Sequence, residues 1–194
     1  MDLPQTLLEP ILVRYAILNG FKTRFDTGFV SFSEDKETGM ITTTLRDMIT
    51  GGEYKVRSKF LFGADGARSN IVRQLKLPLY KQPNQGVAIN VLVEADLSHL
   101  MKSRTGNLHW CIQPDRENPD WGWMAIARMV KPWHEWMMII FPRPDADVSN
   151  ITEEQWLGRV KEFIGDDSIP VSVIDISTWR INEIVAEKYS EGNM

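Results

Sequence analysis

The chain has 194 residues, 43% of them hydrophobic and 25% charged, with a formal net charge of −4 and a pI near 5.4. This composition fits one globular domain or slightly more, and mild acidity without a basic run argues against a nucleic-acid-binding surface. A single cysteine, Cys111, excludes an internal disulfide, and the lack of a secretory leader or a long apolar run predicts a cytoplasmic protein without a membrane span.

The first predicted element is an amphipathic helix over residues 6–19. Apolar residues recur there at helical spacing, Thr6 and Glu9 have capping-box spacing, and Gly20 follows as a stop signal. The apolar period then changes to two, which predicts a β-meander. Its extended segments cover residues 21–31, 41–46 and 54–62.

The second half of the chain predicts a broad mixed or antiparallel sheet with a helix on one face. Ser69 opens a short helix that ends at Leu75, and Thr152 opens a longer one through Ile164. The predicted strands cover residues 87–93, 107–113, 121–128, 135–141 and 171–176. Helix, meander, short helix, large sheet, helix and strand follow one another, which indicates an α+β fold.

The strongest local signal is the run Gly-Ala-Asp-Gly-Ala-Arg-Ser-Asn-Ile-Val-Arg over residues 63–73, preceded by the apolar residues 60–62. Gly63 and Gly66 allow close backbone approach or positive φ, and amides at a helix start face negative charge. Asp65 can accept hydrogen bonds from ribityl or ribose hydroxyls. The Asp65-Gly66 pair alone is no more than a tight turn, but the whole run favours a site for a phosphate-bearing ligand.

This run resembles the Asp-Gly motif of flavoprotein hydroxylases of the p-hydroxybenzoate hydroxylase type. The opening residues 3–9 are similar to the start of that family's first flavin-binding helix, and residues 130–136 resemble its phenol hydroxylase and 2,4-dichlorophenol 6-monooxygenase branch. The resemblance implies FAD and NAD(P)H as cofactors. It implies that the cofactor-binding residues are Gln5, Asp65, Gly66, Arg68 and Arg73.

Two further cofactor motifs are expected of the family. The Gly-x-Gly-x-x-Gly turn does not occur in these 194 residues, and the resemblance places the later Gly-Asp motif just past Met194. The resemblance therefore implies a central fragment, with a Rossmann-like FAD-binding domain that is incomplete at both ends. We expect a partial FAD-binding portion over residues 1–80, the sheet and helix of a substrate domain over 81–178, and a return to the FAD domain over 179–194. By itself such a chain is expected to bind FAD weakly and to lack activity.

The function implied by the resemblance is hydroxylation of a phenol-like ring with NAD(P)H and O₂. Two alternatives stay open. The chain can be an inactive truncated product or one subunit of a split protein, paired as a homodimer or with a complementing chain. It can also be a related flavin enzyme of a biosynthetic pathway.

The predicted substrate pocket lies on the sheet. By resemblance to the family, His109, Trp110, Trp123 and Met124 occupy strands that cover the substrate, although alternation turns about half of such residues away from any pocket. Arg128 is expected to be a solvated edge residue, although hydroxylases of this type can place an arginine over the flavin or substrate. The three histidines and Cys111 do not have metal-ligand spacing, so no metal is predicted, and no residue is assigned as a catalytic acid, base or nucleophile.

Overall fold

A computed structural model describes residues 3–82 and 86–194, which divide into two compact units. One unit comprises Gln82–Glu183 with the residues before Thr6, and the other comprises Thr6–Lys81 and Ile184–Met194. The α-helices are α1 (Gln5–Leu18), α2 (Asn70–Leu75), α3 (Ser98–Met101) and α4 (Glu153–Ile164). The strands are β1 (Thr27–Glu34), β2 (Ile41–Asp47), β3 (Glu53–Ser58), β4 (Leu79–Gln82), β5 (Val87–Glu94), β6 (Leu108–Cys111), β7 (Met124–Lys131), β8 (Glu135–Phe141), β9 (Ser172–Arg180) and β10 (Glu183–Ala186).

The first unit is built on a five-stranded antiparallel sheet in the order β6-β7-β8-β5-β9. The register sets Met138 opposite Val91 on one side and opposite Ala127 on the other, so these residues share a face. The α+β fold and the broad antiparallel sheet predicted from the strand pattern are confirmed.

One face of this sheet forms the core with α4. Val91, Met138 and Ile140 are fully or almost fully buried there, and Trp156 and Val160 of α4 are buried against the same cluster. The helix starts where the sequence predicts, because the Thr152 and Gln155 side chains form a reciprocal capping box. The apolar face of α4 packs on one face of the sheet. This half of the chain therefore has apolar residues at a period of two in its strands and at helical spacing in α4.

The second unit contains a three-stranded meander in the order β1-β2-β3. The predicted extension of the third strand through Phe60–Phe62 is wrong. β2 begins at Ile41, which pairs with Ser58, so no residue of β2 remains to pair with the chain beyond β3. Instead the Leu61 amide donates to the Asn193 carbonyl at 3.1 Å, and the Phe62 side chain is 87% exposed.

The observed starts of α1, β1 and β7 also differ from the predicted ones, because of the local backbone conformation. α1 begins at Gln5, so Thr6 lies inside the helix and does not cap it. The first strand of the meander starts only at Thr27, after Asp26 with φ of 51°. The predicted strand 121–128 opens instead with a 3₁₀ turn at Asp120–Gly122, and β7 begins two residues later.

Three of the helices and strands were not predicted: the one-turn helix α3, and the four-residue strands β4 and β10, which pair with each other. Such short strands carry too few alternating residues for a period of two to appear. Among the described helices, none combines the length and apolarity needed to cross a membrane.

Candidate functional site

The Asp-Gly turn lies between the end of the meander and α2. Gly66 has φ of +74°, a left-handed conformation that a residue with a Cβ adopts at a cost, so glycine is needed there. Ser69 is the N-cap of α2, and its hydroxyl accepts from the Val72 amide at 3.0 Å, as the sequence predicts. The turn therefore has the conformation expected from its residues.

The Asp65 carboxylate is exposed and contacts the start of α2. Its Oδ2 accepts from the Asn70 amide at 2.7 Å and from the Ile71 amide at 3.4 Å. Hydrogen bonding from the Ser69 side chain is the main cause that holds the pKa of the Asp65 carboxyl below its ordinary value. Burial opposes this shift, and the backbone amides of Asn70 and Ile71 add to it. Asp65 is thus a fixed, ionised carboxylate at neutral pH.

Gly63 has a different role from Gly66. A Cβ at Gly63 would lie 3.2–3.3 Å from side-chain atoms of Ile71, which is buried under the turn. Close packing of Ile71 of α2 against the backbone at Gly63 therefore favours glycine at this position, without any appeal to a ligand.

A concavity of about 440 Å³ opens beside the turn. Its wall is apolar at Val72, Leu79 and Ile184, and its rim carries Arg68, Arg73 and Lys81. Within residues 3–82 and 86–194, no carboxylate lies within 4.0 Å of the charged groups of these three cations. Three cations that no carboxylate neutralises make this concavity suited to an anionic ligand.

Gln5 is the first residue of α1, and its side chain is exposed. It is grouped with the five-stranded sheet, whereas Asp65 belongs to the other compact unit. A joint contact of Gln5 and Asp65 with FAD stays a prediction.

The four predicted substrate-pocket residues do not line one surface. His109 pairs with Ala127 on the core face of the sheet, whereas Trp110 is 62% exposed and belongs to the opposite face by alternation. Met124 is buried at the start of β7. Trp123 precedes that strand, with the Arg143 guanidinium 5.5 Å from its ring centroid.

The face of the sheet opposite α4 is apolar and only half-buried. By strand register its members include Asn90, Leu92, Trp110, Ile126, Arg128, Met137, Ile139 and Trp179. The Trp179 indole Nε1 donates to the Asn90 Oδ1 at 3.0 Å, which fixes one polar pair on this face. Arg128 is exposed as expected, but the expected position at a sheet edge is wrong, because β7 pairs with both β6 and β8. Arg128 shares this face with Trp110.

The residue that sequence reasoning missed is Arg159 of α4, whose side chain is 1% exposed. Its Nε donates to the Gly122 carbonyl at 2.6 Å, and its Nη atoms donate to Gln113 Oε1 at 3.0 Å and Asn118 Oδ1 at 2.7 Å. It also forms an ion pair with Glu162 one turn later. An arginine on a helix is usually exposed, so its residue type predicts the opposite of what the structure shows. The only sequence feature that favoured burial was its position next to Val160, which belongs to the apolar face of the helix.

Metal and nucleophile chemistry find no support in the described part of the chain. No group of three or more metal-ligating side chains occurs among the described residues. Cys111 is half-buried, and burial raises the pKa of its thiol above the ordinary value, which lowers its reactivity at neutral pH.

Comparison with known protein families identifies one model over the whole chain. The family described as "FAD binding domain" matches residues 1–194. The resemblance to flavoprotein hydroxylases predicted from the Asp-Gly run is confirmed by this match and by the relatives below.

Among characterised relatives, the 2,4-dichlorophenol 6-monooxygenase of Cupriavidus pinatubonensis is 40% identical over 193 residues, which cover 100% of this chain and 32% of that protein. The phenol 2-monooxygenase of a Pseudomonas species is 29% identical, with coverage of 100% and 30%. The chain therefore spans about a third of the length of the curated relatives it matches.

Among solved structures, the flavin-dependent monooxygenase PieE in complex with FAD and substrate superimposes with a TM-score of 0.85 at 35% identity. The match covers 98% of this chain and 32% of that one.

Proposed function

Since the chain belongs to the FAD-binding domain family over its whole length, we propose that it is part of an FAD-dependent monooxygenase that hydroxylates a phenol-like ring. The observation that carries this proposal is the coincidence of two features. The family match extends over residues 1–194, and within it the Asp65-Gly66 turn combines an exposed carboxylate with a glycine at φ of +74°.

The residues around the turn fit a dinucleotide cofactor. The ionised Asp65 carboxylate is exposed and can accept from a ribose or ribityl hydroxyl while α2 amides hold one of its oxygens. When bound, FAD supplies the redox chemistry, and the protein's own contribution is orientation and charge. Gln5 is proposed as a second FAD contact on the family resemblance.

The cationic concavity supports binding of phosphate groups beside the turn. Arg68, Arg73 and Lys81 can pair with a pyrophosphate, and the apolar wall can cover a ribose or ring. We assign this role to the FAD or NAD(P)H phosphates, with NAD(P)H proposed as the reductant and O₂ as the second substrate.

The half-buried sheet face opposite α4 is the proposed wall for the aromatic substrate. Trp110, Ile126 and Met137 offer flat and pliable apolar surface, which excludes water from a phenol ring. Arg128 on the same face can hold a phenolate oxygen. Met124 and Trp123 are proposed as support for this wall, and His109 faces the core side of the sheet.

Catalysis by the whole protein, its dimerisation and a cytoplasmic location are part of the same proposal. A phenol is favoured over a polycyclic substrate because the relative at 40% identity is a 2,4-dichlorophenol 6-monooxygenase. The residues above do not assign a proton donor or acceptor for the reaction.

A chimera tests the function. Residues 1–194 would replace the matched segment of the Cupriavidus enzyme, and the purified chimera would be assayed for flavin absorbance and for NAD(P)H oxidation with 2,4-dichlorophenol. We expect a yellow protein with phenol-dependent oxidation. A folded chimera that stays colourless at saturating FAD would contradict the proposal.

The matched variants in that chimera are Asp65→Ala and Asp115→Ala. We expect Asp65→Ala to weaken FAD binding about tenfold or more, the effect of one or two charge-assisted hydrogen bonds. Asp115 lies in an exposed loop, so its variant is expected to bind FAD like the parent. Equal FAD affinity in the two variants would remove Asp65 from the site.

A further inference from the structure

A second cavity lies at the β6 edge of the five-stranded sheet, mostly on the core side. Its volume is about 530 Å³, within the usual range for small-molecule sites. It is bounded by β6, by α3 and by the end of α4, and all of its lining residues lie within one compact unit.

The cavity combines an aromatic and aliphatic wall with positive charge. Trp136 is fully buried at its base, and the His109 ring lies 6.2 Å from the Trp136 ring, centroid to centroid. Leu100 and Phe163 extend the apolar wall from the two helices. A flat hydrocarbon group can therefore lie against rings and branched side chains without losing hydrogen bonds.

Arg104 stands at the same cavity. No aspartate or glutamate lines the cavity, and within the described ranges no carboxylate lies within 4.0 Å of the Arg104 guanidinium. Gln113, a polar residue of the cavity lining, has a fixed side chain. Its amide nitrogen donates to the Glu162 carbonyl at 2.9 Å, and its Oε1 accepts from Arg159. One arginine opposite a rigid aromatic wall is complementary to an aromatic ring that carries one negative charge.

We propose that this cavity is a second ligand site, selective for an aromatic monocarboxylate of one or two fused rings. The cavity opens at the edge strand β6, where its lining comes from the core face at His109 and Cys111 and reaches Trp110 of the opposite face. We assign its ligand as an effector and not as the hydroxylated substrate. The site does not depend on FAD or on the proposed reaction.

The test uses Cys111, which lines the cavity and is the sole cysteine of the chain. Methyl methanethiosulfonate would label the thiol of the 194-residue protein, and mass spectrometry would follow the rate with and without 2-naphthoate. We expect 2-naphthoate to slow the labelling in a saturable manner. Unchanged labelling at millimolar 2-naphthoate would overturn the proposal.

Charge selectivity is tested with Arg104→Gln and with the neutral analogue 2-naphthylmethanol. Arg104→Gln is expected to raise the Kd of 2-naphthoate about tenfold, as for loss of one charge-assisted hydrogen bond. The same variant should leave the weaker protection by 2-naphthylmethanol unchanged. Arg180→Gln is the matched control, since Arg180 lies on β9 outside the cavity lining. Equal Kd values for 2-naphthoate in the parent and Arg104→Gln would overturn the assigned ligand class.

Discussion

In the unit of the five-stranded sheet, apolar side chains at core positions are buried by strands and by α4, whereas the apolar residues of α1 in the other unit are exposed. Of the buried hydrophobic residues that the structure describes, all but Ile41 and Ile71 lie in the sheet unit. α1 contains no buried residue, although its apolar residues recur with helical spacing. Periodicity therefore predicts the conformation of an element, but it does not predict whether anything covers its apolar residues.

The largest expected effect comes from Ile140→Ala in the sheet unit. Ile140 is 0% exposed, so its truncation leaves a cavity and should lower the free energy of unfolding by about 3–4 kcal/mol. Denaturant unfolding followed by tryptophan fluorescence measures this unit alone, because all seven tryptophans lie in it. A loss below about 1 kcal/mol would mean that the sheet face is not packed as described.

Arg159→Ala should lower the stability of the same unit by about 2–3 kcal/mol. The substitution leaves the Gly122 carbonyl, Gln113 and Asn118 without their buried donor. Arg159→Lys keeps the charge but lacks the planar fork, so it should recover only part of the loss. Lys161→Ala, at an exposed position on the same helix, is the control. Full recovery by lysine would show that charge alone matters.

These two residues illustrate what the sequence could predict. Ile140 belongs to β8, whose boundaries were predicted correctly from the turn residues on either side of it. Its burial was not predicted, because six of the seven residues of β8 are apolar and the sequence does not show which of them face the core. Arg159 was not predicted, because its burial depends on a loop some forty residues earlier in the chain that supplies the acceptors. Local patterns carry no information about such distant partners.

The candidate site likewise has some features that the local sequence predicted and others that depend on distant segments of the chain. The Ser69 cap and the Gly66 turn follow from residues within a few positions, and they were predicted. The β4–β10 pair joins two segments that are separated in sequence by the whole five-stranded sheet, so the concavity that it lines beside Arg68 could not be predicted. His109 and Trp110 lie on opposite faces of β6, and which of them faces the core follows only from the strand register, which the sequence did not provide.

A smaller effect concerns the Asp65 carboxyl. Its lowered pKa means that its stabilisation of the start of α2 is fully present above the ordinary value of 3.8 and is lost as pH falls through the lower pKa of the folded state. Carboxyl NMR titration should give a midpoint below 3.8 for the parent and a higher one for Ser69→Ala. The same midpoint in both proteins would contradict the role of the Ser69 hydroxyl.

The smallest expected effect comes from Ile11→Ala in α1, which is the chemical match of Ile140→Ala. Ile11 is 57% exposed, so the free energy of unfolding should change by no more than about 0.5 kcal/mol. Far-UV circular dichroism is the suitable measurement, since the unit of α1 contains no tryptophan.

A loss comparable to that of Ile140→Ala would show that another surface covers Ile11 in solution. Repeating the measurement over a range of protein concentrations would identify self-association as that cover. The difference between the effects of Ile140→Ala and Ile11→Ala therefore measures how far the two units differ in the burial of their apolar side chains.

The position of β5 between β8 and β9 has a consequence for synthesis on the ribosome. The meander closes between consecutive segments, so it can pair as soon as β3 has emerged. Val91 of β5, by contrast, cannot pair until Met138 of β8 has been synthesised on one side and Ile176 of β9 on the other. At about 5–20 residues per second, one edge of β5 stays open for a time on the order of ten seconds after its translation. Exposed strand edges recruit other chains, so slower initiation or a chaperone that holds β5 should raise the yield of folded protein more than any change in the meander.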